Sequence, residues 1–145
     1  MSLPALAWVV AKLMGRNALK ARVQKTVFLL QALGFPTRYE YDQYIGGPHS
    51  SELADDYEWL MRSELLHEYA KYADVDEEKW LPVLEKLAKE DVLVLETAAT
   101  LYDLVVAGWE LDEAVERVKE LKPYATDHLI GEGIRLLREL GLLRQ

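Results

Sequence analysis

The chain contains no cysteine, which excludes disulfide bonds, thiolate catalysis and metal or iron–sulfur sites with cysteine ligands. It has only three histidines, and none lies at a specific metal-ligand spacing from another histidine or a carboxylate. A Gly-x-Ser-x-Gly turn and a phosphate-binding loop ending in Gly-Lys-Ser/Thr are also absent. The sequence therefore predicts no catalytic residue, no metal and no cofactor.

Long apolar runs are missing as well. The apolar stretch over residues 3–11 ends at Lys12 and is too short to cross a bilayer. No basic segment precedes it, so we expect no signal peptide and a cytoplasmic protein without a membrane partner. Half of the 145 residues are hydrophobic, which suits a single domain over residues 1–145 with its own core. The lack of cysteine is also compatible with a thermophilic source.

Acidic residues are absent from the first part of the chain. Residues 1–39 hold six basic residues and no acidic one, namely Lys12, Arg16, Lys20, Arg22, Lys25 and Arg38. The remainder carries 11 basic and 25 acidic residues, a net charge of −14. Such asymmetry indicates either an anionic partner for the basic end or neutralisation of that end within the fold.

Helical periodicity predicts the first two elements. Ser2 can cap a first helix that runs to about Met14 and stops at Gly15. This helix is apolar nearly all round, so it must be buried in the fold or in a partner, and it allows a homodimer. Asn17 can cap a second helix that ends near Leu33.

The middle of the chain predicts a small β element. Residues 38–45 alternate in polarity and are rich in tyrosine, which is typical of a strand. Residues 46–48, with two glycines and a proline, predict a turn. Residues 65–69 predict a second short strand that pairs with the first.

Further helices follow. Ser50 or Ser51 caps a third helix, and others are expected over residues 80–88, from Asp112 and from Thr126 or Asp127. Residues 91–107 predict a helix whose first part, 92–95, could equally be a strand. We predict a mainly α, compact multi-helix domain with a two-stranded β element and a winged-helix-like N-terminal half. The acidic connector at 73–77 marks a sub-boundary between residues 1–73 and 74–145.

Two features suit binding rather than catalysis. Lys25 lies off the polar stripe of the second helix. Either its stem covers apolar surface while its ammonium stays in water, or its ammonium is held near the 46–51 loop and binds an anion or a carboxylate. That loop, which contains Gly47, Pro48, His49 and Ser50, precedes a helix whose free N–H groups could bind an anion, although a turn with a helix cap explains it equally.

The same segments resemble known families. Residues 21–31 (ARVQKTVFLLQ), Tyr41, Tyr44 and residues 47–53 (GPHSSEL) resemble the YwgA-like family of uncharacterised bacterial and archaeal proteins. The order Gln-Lys, Tyr and Gly-Pro-x-Ser is also similar to the Panacea domain of antitoxins and proteolytic adaptors. The resemblance implies a mainly helical domain without established chemistry, and it marks as candidate binding residues Gln24, Lys25, Gly47, Pro48 and Ser50, to which the loop adds His49.

Three functions follow as hypotheses. The first is a non-catalytic protein-interaction or regulatory module of the antitoxin or adaptor kind, with an unknown protein partner. The second is a winged-helix regulator that binds nucleic acid through Lys12, Arg16, Lys20, Arg22 and Arg38, although the −14 balance of the rest opposes broad contact with DNA. The third is an enzyme acting on an anionic small molecule near Lys25, His49 and Ser50.

Overall fold

The structure is a computed structural model that describes residues 2–14, 18–44 and 47–144. The described residues form eight helices and one two-stranded antiparallel sheet, which confirms the predicted mainly helical class. In chain order the elements are α1 Leu3–Leu13, α2 Lys20–Ala32, β1 Asp42–Tyr44, β2 Gly47–His49, α3 Ser51–Ser63, α4 Leu66–Lys71, α5 Glu77–Ala88, α6 Val92–Val106, α7 Leu111–Leu121 and α8 Asp127–Glu139.

Contacts between residues divide the chain into two units. Unit 1 comprises Met1–Tyr41 and Ser50–Lys89, and unit 2 comprises Asp42–His49 and Glu90–Gln145. The acidic residues 73–77 lie inside unit 1, so this division falls after Lys89 and not at the connector. The single domain over 1–145 stays a prediction.

Unit 1 is built on α1. This helix packs against α2, α3 and α4, and residues 5–10 and Leu13 are buried, as its apolar composition requires, whereas Lys12 is exposed. Phe35 joins the helices by contacting the rings of Trp8 and Trp80, with centroids 5.8 and 5.2 Å away. Most of α1 is buried within unit 1, and the homodimer stays a prediction.

The first two helices begin differently from the prediction. Ser2 is the residue before α1, but its hydroxyl accepts the backbone N–H of Arg38 at 2.8 Å and does not cap the helix. The second helix begins at Lys20 after Leu19, which has no capping side chain, so the start predicted at Asn17 is wrong. Gly15 and Asn17 themselves lie outside the described residues.

The predicted two-stranded β element is present, but its second strand is a different segment from the one predicted. β1 covers only Asp42–Tyr44 and pairs with β2, which occupies positions predicted as a turn, with Gln43 opposite Pro48. The segment 65–69 is not a strand, because most of it belongs to α4. Ile45 and Gly46 lie outside the described residues.

Residues 37–41 show why the alternating pattern extended too far. Thr37 and Tyr39 are buried, whereas Arg38 and Glu40 are exposed, as in a strand. However, the side-chain amide of Gln31 takes the place of a neighbouring strand. Its Nε2 donates to Tyr39 O at 2.9 Å, and its Oε1 accepts from Tyr39 N at 3.1 Å.

Unit 2 is built on α6, which packs against α7, α8 and β2. Residues 92–95 are helical, because the Asp91 side chain accepts the Leu93 N–H at 2.8 Å and caps α6. Thr126 caps α8 as predicted, whereas α7 begins after Glu110 and not at Asp112. Gly133 lies against Ala98, and a Cβ there would be 3.2 Å from the Ala98 nitrogen.

Candidate functional site

Gln24 holds the start of α3 in unit 1. Its Nε2 donates to Ser50 O at 2.8 Å, and its Oε1 accepts from Ser50 N at 3.0 Å. The Ser50 hydroxyl in turn accepts the Leu53 N–H at 3.1 Å, which confirms it as the cap of α3. The structure therefore brings together the candidate binding residues Gln24 and Ser50, but both side chains are buried and hydrogen-bonded to backbone.

Lys25 and Thr26 continue this buried polar segment of α2. Lys25 is only 7% exposed, so most of its side chain is covered by the fold. Thr26 is fully buried, and its hydroxyl has no hydrogen-bond partner among the described residues. Three successive polar residues of α2 are thus buried in unit 1.

Two tyrosines lie on the chain that follows α2. The Tyr39 hydroxyl donates to Asp56 Oδ2 at 2.7 Å, and burial together with this carboxylate raises the pKa of Tyr39. Burial also raises the pKa of Tyr41, whose ring meets Phe28 edge-on at 5.0 Å. Both phenols therefore stay protonated at neutral pH and hold structure, since neither is poised to act as a base.

Gly47, Pro48 and His49 belong to β2 in unit 2. Gly47 has φ of +102°, a conformation that favours glycine, while Gly47 and Pro48 are buried and His49 is partly buried. Gly47 and Pro48 line a small cavity together with residues of β1, α6 and α7: Gln43, Thr100, Asp103, Leu104 and Leu121. Two of the predicted binding residues of the 46–51 loop therefore line this cavity.

The basic N-terminal residues are largely committed within unit 1. Lys12 Nζ lies 3.0 Å from Glu77 Oε1, and Lys20 forms an ion pair with Glu58. Arg22 Nη1 donates to Leu87 O at 3.5 Å. Arg38 is exposed, and Arg16 lies outside the described residues. Two of the five proposed phosphate ligands are thus neutralised by carboxylates of the same unit.

A surface groove runs along α3 in unit 1. Trp59 is 40% exposed in this groove, and its ring contacts Tyr69 edge-on at 5.4 Å. Asp55 and Arg62 lie four residues before and three residues after Trp59, which puts all three on one helix face. The full lining is Lys20, Ala54, Asp55, Asp56, Glu58, Trp59 and Arg62.

A second groove lies along α7 in unit 2 and has a different charge. Trp109, also 40% exposed, is at one end. Its other lining residues are acidic except for one arginine: Asp112, Glu113, Glu116, Arg117 and Glu120. Arg117 pairs with Glu120 at 3.2 Å, so the charges that remain are negative.

A buried ion pair in unit 2 was not predicted. Lys122 is fully buried, and its Nζ lies 2.7 Å from Glu96 Oε2. The Tyr124 hydroxyl donates to the same carboxylate oxygen, and burial and this carboxylate raise the pKa of Tyr124 to about 12. Twenty-six residues separate Lys122 from Glu96, and no local sequence pattern links residues so far apart.

No group of three or more histidines or carboxylates that could hold a metal occurs among residues 2–14, 18–44 and 47–144. Within the same part of the chain, no helix combines the length and the apolar character needed to cross a membrane.

Comparison with known proteins found no matching family, no matching curated protein and no matching solved structure. The resemblance to the YwgA-like family and to the Panacea domain therefore stays a prediction, as does the winged-helix likeness of the N-terminal half.

Proposed function

We propose that the protein is a non-catalytic protein-interaction module that binds its partner in the α3 groove. The observation that carries this proposal is the half-exposed Trp59 with Asp55 and Arg62 on either side. Tryptophan and arginine are the side chains most enriched among residues that dominate binding energy at protein interfaces. A partner that covers Trp59 removes a large apolar ring from water and meets charges of both signs at its edges.

The rest of unit 1 supports α3 as a rigid platform. Gln24 and the Ser50 cap fix the start of the helix, and the Tyr57 hydroxyl donates to Ala18 O at 2.7 Å. The Lys20–Glu58 pair closes one side of the groove. A surface that is ordered before binding loses less conformational entropy when the partner arrives.

The partner that fits is a protein segment with an apolar or aromatic side chain flanked by charges of both signs. Arg62 suits a carboxylate, with which it can form a bidentate pair, and Asp55 suits a lysine or arginine. By the resemblance to the Panacea domain, such binding would be regulatory, with the partner neutralised or delivered elsewhere.

The two alternative functions have less support. Nucleic-acid binding would need cations free to meet phosphates, but Lys12 and Lys20 already pair with carboxylates. Catalysis near Lys25 and His49 would need an available Ser50, and its buried hydroxyl serves as the α3 cap.

Site-specific photocrosslinking in source cells tests the proposal. We place p-benzoylphenylalanine at Arg62 in the groove or, as a matched control, at Tyr72, which is well exposed and outside the groove lining. The expected result is one crosslinked protein from position 62 and none from position 72. Trp59→Ala should lower the yield of the protein crosslinked from position 62 by at least about tenfold.

Three results would overturn the proposal. They are equal crosslinking from both positions, a crosslinked product that is nucleic acid, and a yield from position 62 that Trp59→Ala leaves unchanged. A product with twice the mass of the chain would identify the partner as a second copy. Circular dichroism of Trp59→Ala checks that a lost crosslink does not reflect unfolding, and Arg62→Glu in a purified complex gives a second variant that does not alter ring packing.

A further inference from the structure

The cavity in unit 2 is lined by both polar and apolar residues. Asp103, Thr100 and Gln43 are the polar ones, and Pro48, Leu104 and Leu121 are apolar. Inside the cavity, the centre of a water-sized group can occupy a volume of about 20 Å³. A space of this size holds one such group and little more.

The polar atoms of the cavity are already arranged as hydrogen-bond acceptors. The Thr100 hydroxyl donates its hydrogen to Glu96 O at 2.8 Å, so only its lone pairs are left to a ligand. Burial raises the pKa of the Asp103 carboxyl. The hydrogen bond from the Gln43 side-chain amide to this carboxyl has a smaller effect and lowers the pKa. The Asp103 carboxylate has lone pairs beyond those that one amide uses.

We propose that this cavity binds a primary ammonium group. Such a group is about the size of the open space, carries three donors that match the oxygens of Asp103 and Thr100, and has a charge opposite to the carboxylate. The carbon that bears the ammonium would contact Pro48 and Leu104. A guanidinium is too large for the space, and a divalent metal would find only one carboxylate among the lining residues.

The ammonium could belong to a free small amine or to a lysine side chain, and the chemistry of recognition is the same. Methylammonium and N-acetyl-lysine-methylamide are therefore the two probes. For a two-heavy-atom ligand such as methylammonium, the ligand-efficiency ceiling corresponds to a Kd on the order of 10 mM. Tighter binding of the lysine derivative would indicate a protein-borne lysine, and its failure to bind would indicate a free amine.

Nuclear magnetic resonance titration of the full chain tests the proposal. Methylammonium should shift the Gln43 side-chain amide and the Thr100 backbone amide saturably, whereas tetramethylammonium, which has no N–H donor, should not. Asp103→Asn should abolish the shifts, and Thr100→Val should weaken binding by about tenfold. Asp112→Asn, which removes an exposed carboxylate of the same unit, is the matched control and should leave binding unchanged.

Potassium chloride at equal concentration controls for a general cation effect. Equal shifts with potassium or tetramethylammonium would overturn the proposal. It would also be overturned if the Asp103→Asn and Thr100→Val variants both bound methylammonium as well as the wild type does. Trp59→Ala should have no effect on these shifts, so this test and the crosslinking test can fail separately.

Discussion

Two sets of polar contacts, one in each unit, are held by side chains of different kinds. In unit 1 the neutral amides of Gln24 and Gln31 bind the backbone at Ser50 and Tyr39. In unit 2 the charged Lys122 is buried against Glu96. A neutral amide loses little on burial when both its groups are bonded, whereas a buried charge depends on one partner. The two units should therefore respond differently when a partner is removed.

The charges around the exposed tryptophans of the two units also differ. Trp59 and Trp109 are equally exposed, but Trp59 lies among charges of both signs and Trp109 among carboxylates. A mixed-charge groove gains little long-range attraction for a charged partner, so binding there should depend weakly on salt. Because binding to charges of both signs does not rest on net charge, we favour the α3 groove over the α7 groove as the surface for a specific protein.

The largest expected effect comes from breaking the buried pair in unit 2. Glu96→Gln leaves Lys122 fully buried without its carboxylate and should lower the free energy of unfolding by about 3 kcal/mol. Lys122→Met should cost less, because Glu96 keeps the Tyr124 hydroxyl and is partly exposed. Urea unfolding of the full chain measures both values.

The double variant Glu96→Gln with Lys122→Met should recover most of the loss, because no unpaired charge is then buried. Glu58→Gln in unit 1 is the control for an exposed ion pair and should change stability little. The contrast between the units fails if Glu96→Gln costs no more than Lys122→Met.

The next largest effect is expected in unit 1. Gln24→Leu leaves the N–H of Ser50 buried without its partner, while the C=O of Ser50 keeps only the Ala54 N–H, and the change should cost about 2 kcal/mol. Gln31→Leu should cost about 1 kcal/mol, since Gln31 is partly exposed and water can replace its bonds to Tyr39. Hydrogen exchange at the amide of Ser50 should become faster only in the Gln24 variant, and equal exchange in both variants would contradict the assignment.

The smallest effect is the dependence of stability on pH, and its sign should differ between the units. Burial raises the pKa of Asp103 above its ordinary 3.8, so the stability it contributes is complete below that pH and is lost as pH rises through the raised pKa. The Trp8 indole and Lys12 lower the pKa of Glu77 below its ordinary 4.5. Its contribution is therefore complete above 4.5 and is lost as pH falls through the lowered pKa.

A pH series of urea unfolding measures both signs. Asp103→Asn should gain stability relative to the wild type as pH rises from 4 to 7. Glu77→Gln should lose stability relative to the wild type at neutral pH, and this difference should shrink in acid. Differences that do not vary with pH would show that neither carboxyl is coupled to folding.

The helices could be predicted because their signals are local. The Ser50 and Thr126 caps and the all-round apolar character of α1 involve residues within one or two turns of each other. The alternating burial of residues 37–41 could be predicted for the same reason. Their bonding partner could not, because a glutamine side chain of the preceding helix replaced the expected strand.

The candidate site was predicted only in part. Gln24 with Ser50, and Gly47 with Pro48, were chosen from the sequence, and each pair shares one environment in the structure. Asp103 and Trp59 were not chosen, because an aspartate or a tryptophan inside a helix has no local feature that shows whether it lines a groove or a cavity.

By itself, therefore, the sequence determined most of the helical segments, although not α4, and that α1 is largely buried. Only the tertiary structure decided which charges are neutralised, since Lys20 and Glu58 lie 38 residues apart and Lys122 and Glu96 lie 26 apart. Helix periodicity and caps act over a few residues, whereas ion pairs and cavities form between segments that meet only when the chain has folded.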